Sequence, residues 1–415
     1  MKNPSTMRIK TAVVATALCA FSGAAEAQKL TMEQCFALAT EHNLTLKAAE
    51  ARTQQTRIMQ GTAWDVDKTE LSLSQDPTSG GSPDNALAIS QSIDFPTVYA
   101  ARRSRLKAET AVEESRQRLA GQQVRADIAA AYCQTVFQQE RLRIMQRQLS
   151  LLQRYATTAE ARYKAGETRQ TEALSARRML EELRLEMVSA ESECDAQQLL
   201  LTTLVGATER ITPADTALTP LSYAPTAYAF ASTADGELAS RTVTAADKAV
   251  REAKNGFAPS LSLALKQQMV ISGWDPYHEN RQRYAGGNFM GFEVGVGIPL
   301  FFGATKAKVK AARKEREAAS LMMQQEEKQK LAEHNIAMSR YSAAARRMAY
   351  YEQEGSADAL TTARLATAEY DNGDISYMEY NAAMQDALDI QMKRAAAIND
   401  YNQAVVALRR LKSDF

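Results

Sequence analysis

The chain has 415 residues, and its 50 lysines and arginines against 49 aspartates and glutamates leave a net charge of +1, which excludes the strongly basic balance of a nucleic-acid binder. Its three histidines and four cysteines are widely spaced, with no HExxH, CxxC, GxSxG or P-loop pattern among them. Neither a catalytic set nor a metal or cofactor site can be built from them, so an enzyme is not expected.

At the N-terminus, Lys2, Arg8 and Lys10 lead into the apolar run Thr11 to Phe21. Ala25-Glu26-Ala27 then carries the A-x-A pattern of a signal-peptidase site. Residues 1–27 therefore read as a signal peptide and Gln28 as the first mature residue. The run is about 11 residues, short of the roughly 20 that span a bilayer as a helix. Cys19 follows Leu18 rather than a small residue, which argues against acylation there and leaves it in the leader. The odd set that remains, Cys35, Cys133 and Cys194, reads as small buried apolar residues.

The first predicted helix runs from Asn43 to Trp64. Two strands follow, Lys68 to Gln75 and Ala86 to Phe95, with alternating apolar positions (Leu71, Leu73; Leu87, Ile89, Ile93, Phe95). Their connection, Asp76 to Asp84, holds turn-forming residues. Residues 97 to 212 contain no proline, and neither do residues 300 to 415, an interval of equal length. Because proline breaks helix interiors, each interval reads as a long helical block.

In the first block, apolar positions spaced by three and four run through Leu142, Met145, Leu149, Leu152, Ala156, Ala159 and Tyr163. They stop at Gly166 and resume from Leu180 through Leu183, Met187, Ala190, Cys194, Gln197, Leu201 and Leu204. That is the pattern of an antiparallel hairpin with a coiled-coil seam and a glycine stop. The outgoing arm, Thr97 to Ala165, would extend roughly 100 Å at 1.5 Å per residue. Two helices so long and thin need partner helices. Met145 and Met187 fall on the seam, where packing accounts for them.

The Pro-rich segment 212–233 reads as a linker, and the order then repeats. A helix covers Leu238 to Asn255, and strands cover Ser260 to Ile271 and Phe289 to Phe301. The connection between them, Ser272 to Gly287, is longer and carries Trp274, Tyr277 and Tyr284. A second hairpin stops at Gly373. Tyr163 and Tyr370 are 207 residues apart, and so are Gly166 and Gly373. The expected division is a first repeat over 28–211, a linker over 212–233 and a second repeat over 234–415.

Four strands cannot close a membrane barrel, whose smallest bacterial forms have about eight, and open sheet edges are not tolerated in lipid. Strands in a membrane would have to be pooled between chains. The alternative is a periplasmic coiled-coil scaffold or adaptor without a pore, its strands forming a small sheet. The glycine-rich strand Gly291 to Gly297 and the two matched copies favour the pooled tube over the scaffold.

The paired Y-x-x-G-[ED] motifs, Tyr163 to Glu167 and Tyr370 to Asp374, stand after long strand-to-helix runs. With Ile298-Pro299-Leu300-Phe301 and the stretch Asn255 to Leu263, they resemble the TolC family of outer-membrane efflux proteins over about Leu30 to Leu411. The resemblance implies a mixed, mainly α fold. Long antiparallel hairpins would form a trimeric α-barrel in the periplasm, and four strands per chain would contribute to a 12-stranded transmembrane β-barrel. It implies a channel-tunnel subunit that exports small molecules or ions within a tripartite efflux complex. The partners would be two further copies, a periplasmic adaptor, an inner-membrane pump and outer-membrane lipid, with no cofactor.

The resemblance also implies site residues. Ala165, Gly166 and Glu167, with Asn372, Gly373 and Asp374, would be the periplasmic tips that meet the adaptor. Glu379 would ring the aperture, and Glu172 and Tyr370 would join the links that hold it closed. This chain departs from the family pattern at Ala382, where a second acidic ring is expected, and at Ile375, where a basic residue is expected. Arg169 is the candidate substitute. Simple helix stops also account for the two glycines, and a solvated helix face for the two glutamates.

Overall fold

The computed structural model of the chain describes residues 28–77, 83–269 and 288–415. The leader with Cys19, the middle of the first strand connection, Val270, Ile271 and the aromatic connection with Trp274, Tyr277 and Tyr284 lie outside the described residues.

The described residues open on a short strand, β1 (Gln28–Leu30), that pairs in parallel with β4 (Ile211–Pro213) far along the sequence. Helix α1 (Met32–His42) starts at a capping box, in which Thr31 accepts from the Gln34 amide and the Gln34 side chain reaches back to Thr31. Asn43 then turns the chain into α2 (Leu44–Met59). Its Oδ1 accepts from the amides of Thr45 and Leu46, and its Nδ2 donates to the Leu204 carbonyl at 2.7 Å. The expected single helix from Asn43 to Trp64 is thus corrected. Asn43 caps α2 between two helices, and residues 60–64 tighten into a 3-10 turn.

Strands β2 (Glu70–Pro77), β3 (Pro83–Asp94), β5 (Ser260–Met269) and β6 (Asn288–Gly297) form one antiparallel sheet in the order β2-β3-β5-β6. The expected last strand reached Phe301. It ends at Gly297 because Pro299 removes a ladder donor. Register puts Leu71 opposite Ile89, Ile89 opposite Leu265, and Leu265 opposite Phe292. One face is therefore almost wholly apolar, and it is bare: Leu73 is 74% and Phe292 80% exposed. The other face carries Ser72, Ala88, Ser90, Ser262, Ala264 and Gly295. β2 and β6 are open edges.

From the sheet descends α3 (Pro96–Lys164), one uninterrupted helix of 69 residues, with proline at its first position, where no amide is needed. By its rise it is roughly 100 Å long. Near the sheet it is flanked by α2, through Thr53, and by the 3-10 turn after it, through Gln60 and the Trp64 ring stacked on Tyr99 at 5.1 Å. On its other side runs α5 (Ala234–Asn255), bound through the ion pairs Arg105–Glu252 and Arg118–Glu237.

Further down, α3 packs against α4 (Gln170–Val205) and α8 (Tyr377–Lys412). The α3–α4 seam buries Met145, Leu152, Ala159, Ala176, Leu183, Met187 and Ala190. Gln198 rather than Gln197 is the buried glutamine of the return arm. Helix α8 runs antiparallel to α3, from Gln122 against Phe415 through Gln134–Asn399 to Arg147–Gln391.

The second hairpin differs from the first. Its outgoing arm is α6 (Gly303–Tyr350), a π-helical turn over residues 351–355, then α7 (Ser356–Asn372). The equal-length interval is therefore not one regular helix. The buried Gly355 lies against the rings of Tyr350 and Tyr351, and the extra residue of the π turn re-phases α7 on α8.

The main core sits at the waist, where β1, β4, α1, α3 and α4 meet. Cys35, Ile128, Tyr132, Leu201, Val205 and Ile211 are buried there. Cys35, Cys133 and Cys194 are all free and buried, and burial pushes the thiols of Cys35 and Cys133 up to about 11 and about 12.

Candidate functional site: the hairpin tips

Both hairpins reverse by the same hydrogen bonds. In the first, the Glu167 amide donates to the Arg162 carbonyl at 2.9 Å and the Gly166 amide to that of Tyr163 at 3.0 Å. In the second, the Asp374 amide donates to Glu369 at 2.8 Å and the Gly373 amide to Tyr370 at 3.0 Å. This closure needs one left-handed residue, and Gly166 (φ +77°) and Gly373 (φ +83°) supply it without a Cβ penalty. Ala165, Gly166, Glu167, Asn372, Gly373 and Asp374 are all exposed. Two solvent-facing loops of matching shape result.

The helices that leave the turns start differently. Ser376 caps α8: its Oγ accepts from the Glu379 amide at 3.2 Å, and the Glu379 carboxylate accepts from the Ser376 amide at 2.7 Å. That backbone amide, helped by the serine hydroxyl, holds the exposed Glu379 carboxyl below the usual carboxylate range. At the corresponding place in the first copy stands Arg169, which caps α4 with no side-chain hydrogen bond. Glu172 instead accepts from the Thr168 hydroxyl. Arg169 is exposed and makes no salt bridge among the described residues, so within one chain it reaches neither glutamate.

Tyr370 lies in an aromatic cluster. Its ring is 5.3 Å from that of Tyr377 and stacks on Tyr380 at 5.0 Å, while Tyr377 meets Tyr155 of α3 at 5.5 Å. Burial raises the Tyr155 phenol above its ordinary value, and the nearby Glu172 carboxylate adds to the rise. The predicted residues Glu172 and Tyr370 thus neighbour different members of one tyrosine cluster, Glu172 beside Tyr155 and Tyr370 on Tyr377 and Tyr380, and are not hydrogen-bonded to each other. Sequence reasoning missed Thr168, Ser376, Tyr155, Tyr377 and Tyr380. The S-x-x-E spacing of Ser376 and Glu379 and the i, i+3 pair Tyr377 and Tyr380 were the available signals.

Among the described residues, no group of three or more His, Cys, Asp or Glu converges as a metal site, and no helix is long and apolar enough to cross a membrane.

The family model described as outer membrane efflux protein matches residues 239–412. No curated protein matches the chain. Among solved structures, the chain is similar to CusC, described in terms of folding and transmembrane channel formation (17% identity, 92% of each chain, TM-score 0.75). It is also similar to the outer membrane protein VceC of Vibrio cholerae (18% identity, 92% of this chain and 95% of that one, TM-score 0.71). A third is the CmeC outer membrane channel of Campylobacter jejuni (16% identity, 92% and 85%, TM-score 0.68). The likeness is one of fold, and it runs over 92% of the chain.

Proposed function

From the likeness of residues 239–412 to the outer membrane efflux protein family, we propose that the chain is a member of that family and one of three identical subunits of an outer-membrane efflux channel, each built from two repeats (28–211 and 234–415) and a linker (212–233). The family and the structural neighbours are channels, not enzymes. The observation that carries the reading is the sheet, which has one bare apolar face, one face of small polar residues and two open edges.

Such a sheet is stable in a bilayer only when its edges are paired, and three copies of four strands close a 12-stranded barrel with the apolar face toward lipid. The helices support the same assembly. On α4, Leu174 (57% exposed), Leu185 (70%), Val188 (64%) and Leu199 (66%) form one stripe opposite the face packed on α3. Within one chain this stripe has no helix to cover it. In a ring, the second hairpin of the neighbouring copy covers it, and the contact is head-to-tail and closes.

Below the membrane the hairpins form a periplasmic tube. Its tips, Ala165 to Glu167 and Asn372 to Asp374, meet a periplasmic adaptor that connects to an inner-membrane pump. Glu379 rings the aperture, and Glu172, Tyr370 and Arg169 hold the closed state. Three like charges around a narrow lumen repel each other and attract cations, and the tyrosine cluster holds the tips together against that repulsion until adaptor binding favours the open arrangement. The test is cell fractionation with unheated gel electrophoresis. A heat-modifiable trimer in the outer-membrane fraction is expected, and a soluble periplasmic monomer would favour the scaffold reading instead.

A further inference from the structure

Inside the proposed barrel, the small polar face of the sheet carries few long charged side chains. Lys266 of β5 faces Gly291 across the ladder, and Glu293 of β6 faces Ala264. The two charges therefore meet on the diagonal, where they form a salt bridge. Both side chains remain more than half exposed, 55% and 60%. Glu70 of β2 stands in the same row as Glu293, through Ser90 and Ala264, and has no salt bridge among the described residues.

The setting makes these charges conspicuous. Gly295 lies so close to Ser262 that an added Cβ would run into its hydroxyl oxygen, and Ser90, Ser92, Ser260 and Ala264 stand around the two on the same face. A face kept this small leaves an open lumen, and the longer charged side chains are the groups that project into it. Lipid cannot be the reason for them, since the opposite face supplies the apolar contact.

We propose that the Lys266–Glu293 pair and Glu70, repeated in each copy, form a charged collar within the β-barrel that sets the ionic preference of the outer part of the conduit, separately from the periplasmic tips. This rests on the channel reading. Within each copy the pair cancels and Glu70 does not, so the collar carries one net negative charge per copy. Fixed charge in a low-dielectric channel wall concentrates the opposite ion, so the collar favours cations.

The experiment is the reversal potential of purified trimers in planar bilayers under a KCl gradient. Lys266→Gln frees Glu293 and is expected to shift the reversal potential toward that of potassium. Glu293→Gln frees Lys266 and is expected to shift it toward that of chloride. The exchange Lys266→Glu with Glu293→Lys preserves the sum of charges and is expected to return it to the wild-type value. Because closed tips lie in series, orientation is read independently. In intact cells, a membrane-impermeant thiol reagent is expected to label Lys266→Cys and spare Leu265→Cys, the native Cys35, Cys133 and Cys194 being buried. A conducting wild type whose two single variants leave the reversal potential unmoved, or move it the same way, overturns the collar alone. So does labelling at position 265 in place of 266. A wild-type trimer that inserts and conducts nothing overturns the channel reading beneath it.

Discussion

Tyr155, near the tip end of α3, sets its ring 5.5 Å from that of Tyr377 at the start of the last helix, at an interplanar angle of 45°. The contact ties the two copies together close to their tips, and Tyr370 and Tyr380 extend it. Where the family pattern expects a basic residue, this chain has the half-buried Ile375; in the proposed channel the stacked rings would take over part of an ionic latch. Tyr377 is 8% exposed. Its replacement by alanine is expected to cost about 3 kcal/mol and to splay the tips. Single-channel recording should show larger conductance for Tyr377→Ala and near wild-type conductance for Tyr377→Phe. Equal conductance in all three would remove the cluster from gating.

Ser376 and Glu379 form a reciprocal cap. Ser376→Ala is expected to weaken the first turn of α8 by about 1 kcal/mol, read as about fivefold faster hydrogen exchange at the Glu379 amide. The pH dependence has a definite sign. Glu379 has a depressed carboxyl pKa, so its part of the cap is present above the ordinary carboxylate value and lost as pH falls through the folded one. Protection at that turn should therefore drop on acidification below about pH 4.5, and the drop should vanish in Glu379→Gln.

That same variant separates capping from charge. Glutamine serves in a capping box, so Glu379→Gln keeps the turn while removing three like charges from the proposed aperture. Cation selectivity and block by multivalent cations should both fall. The difference from wild type should be largest at low ionic strength, since charges are screened over about 10 Å at 0.1 M salt. Selectivity that does not move would leave Glu379 as a cap only.

His334 is buried on α6, stacked on Tyr228 at 4.5 Å, with no partner on its Nε2. Burial holds its pKa below 6.5, the Lys412 charge adds to this, and a hydrogen bond with Asn335 opposes it. The folded chain thus keeps the imidazole neutral. Its contribution to stability is present above pH 6.5 and is lost as pH falls toward the folded value. The melting temperature of the solubilised protein should decline between pH 7 and pH 5.5, and His334→Phe should flatten that decline.

How far these features could be read from residues alone follows from their physics. Gly166 and Gly373 were legible because a left-handed turn after a long apolar period admits few other residues. The sheet was legible because Leu71, Ile89, Leu265 and Phe292 each sit in period-two runs. β1 and β4 were not, since three residues ending in Pro213 carry no alternation and gain their pairing from the waist core. The π turn at 351–355 was hidden because tyrosine, glutamate and glutamine fit a regular helix equally well. Tyr155 has no aromatic counterpart in the second copy, where Thr362 stands, so a search for matching positions passed it by. Its role arises only when the two hairpins pack together.

The central claim, that three chains pool their strands into one barrel, is tested most directly by disulfide trapping across the open edges. Single cysteines along β2, at Ser72 or Ser74, would be combined in one chain with single cysteines along β6, at Gly291 or Gly295, and oxidised in native membranes. The account predicts that at least one pairing gives a covalently closed trimer on denaturing gels, lost on reduction. Chains that stay monomeric in every pairing, while recovered intact from the membrane, would contradict it.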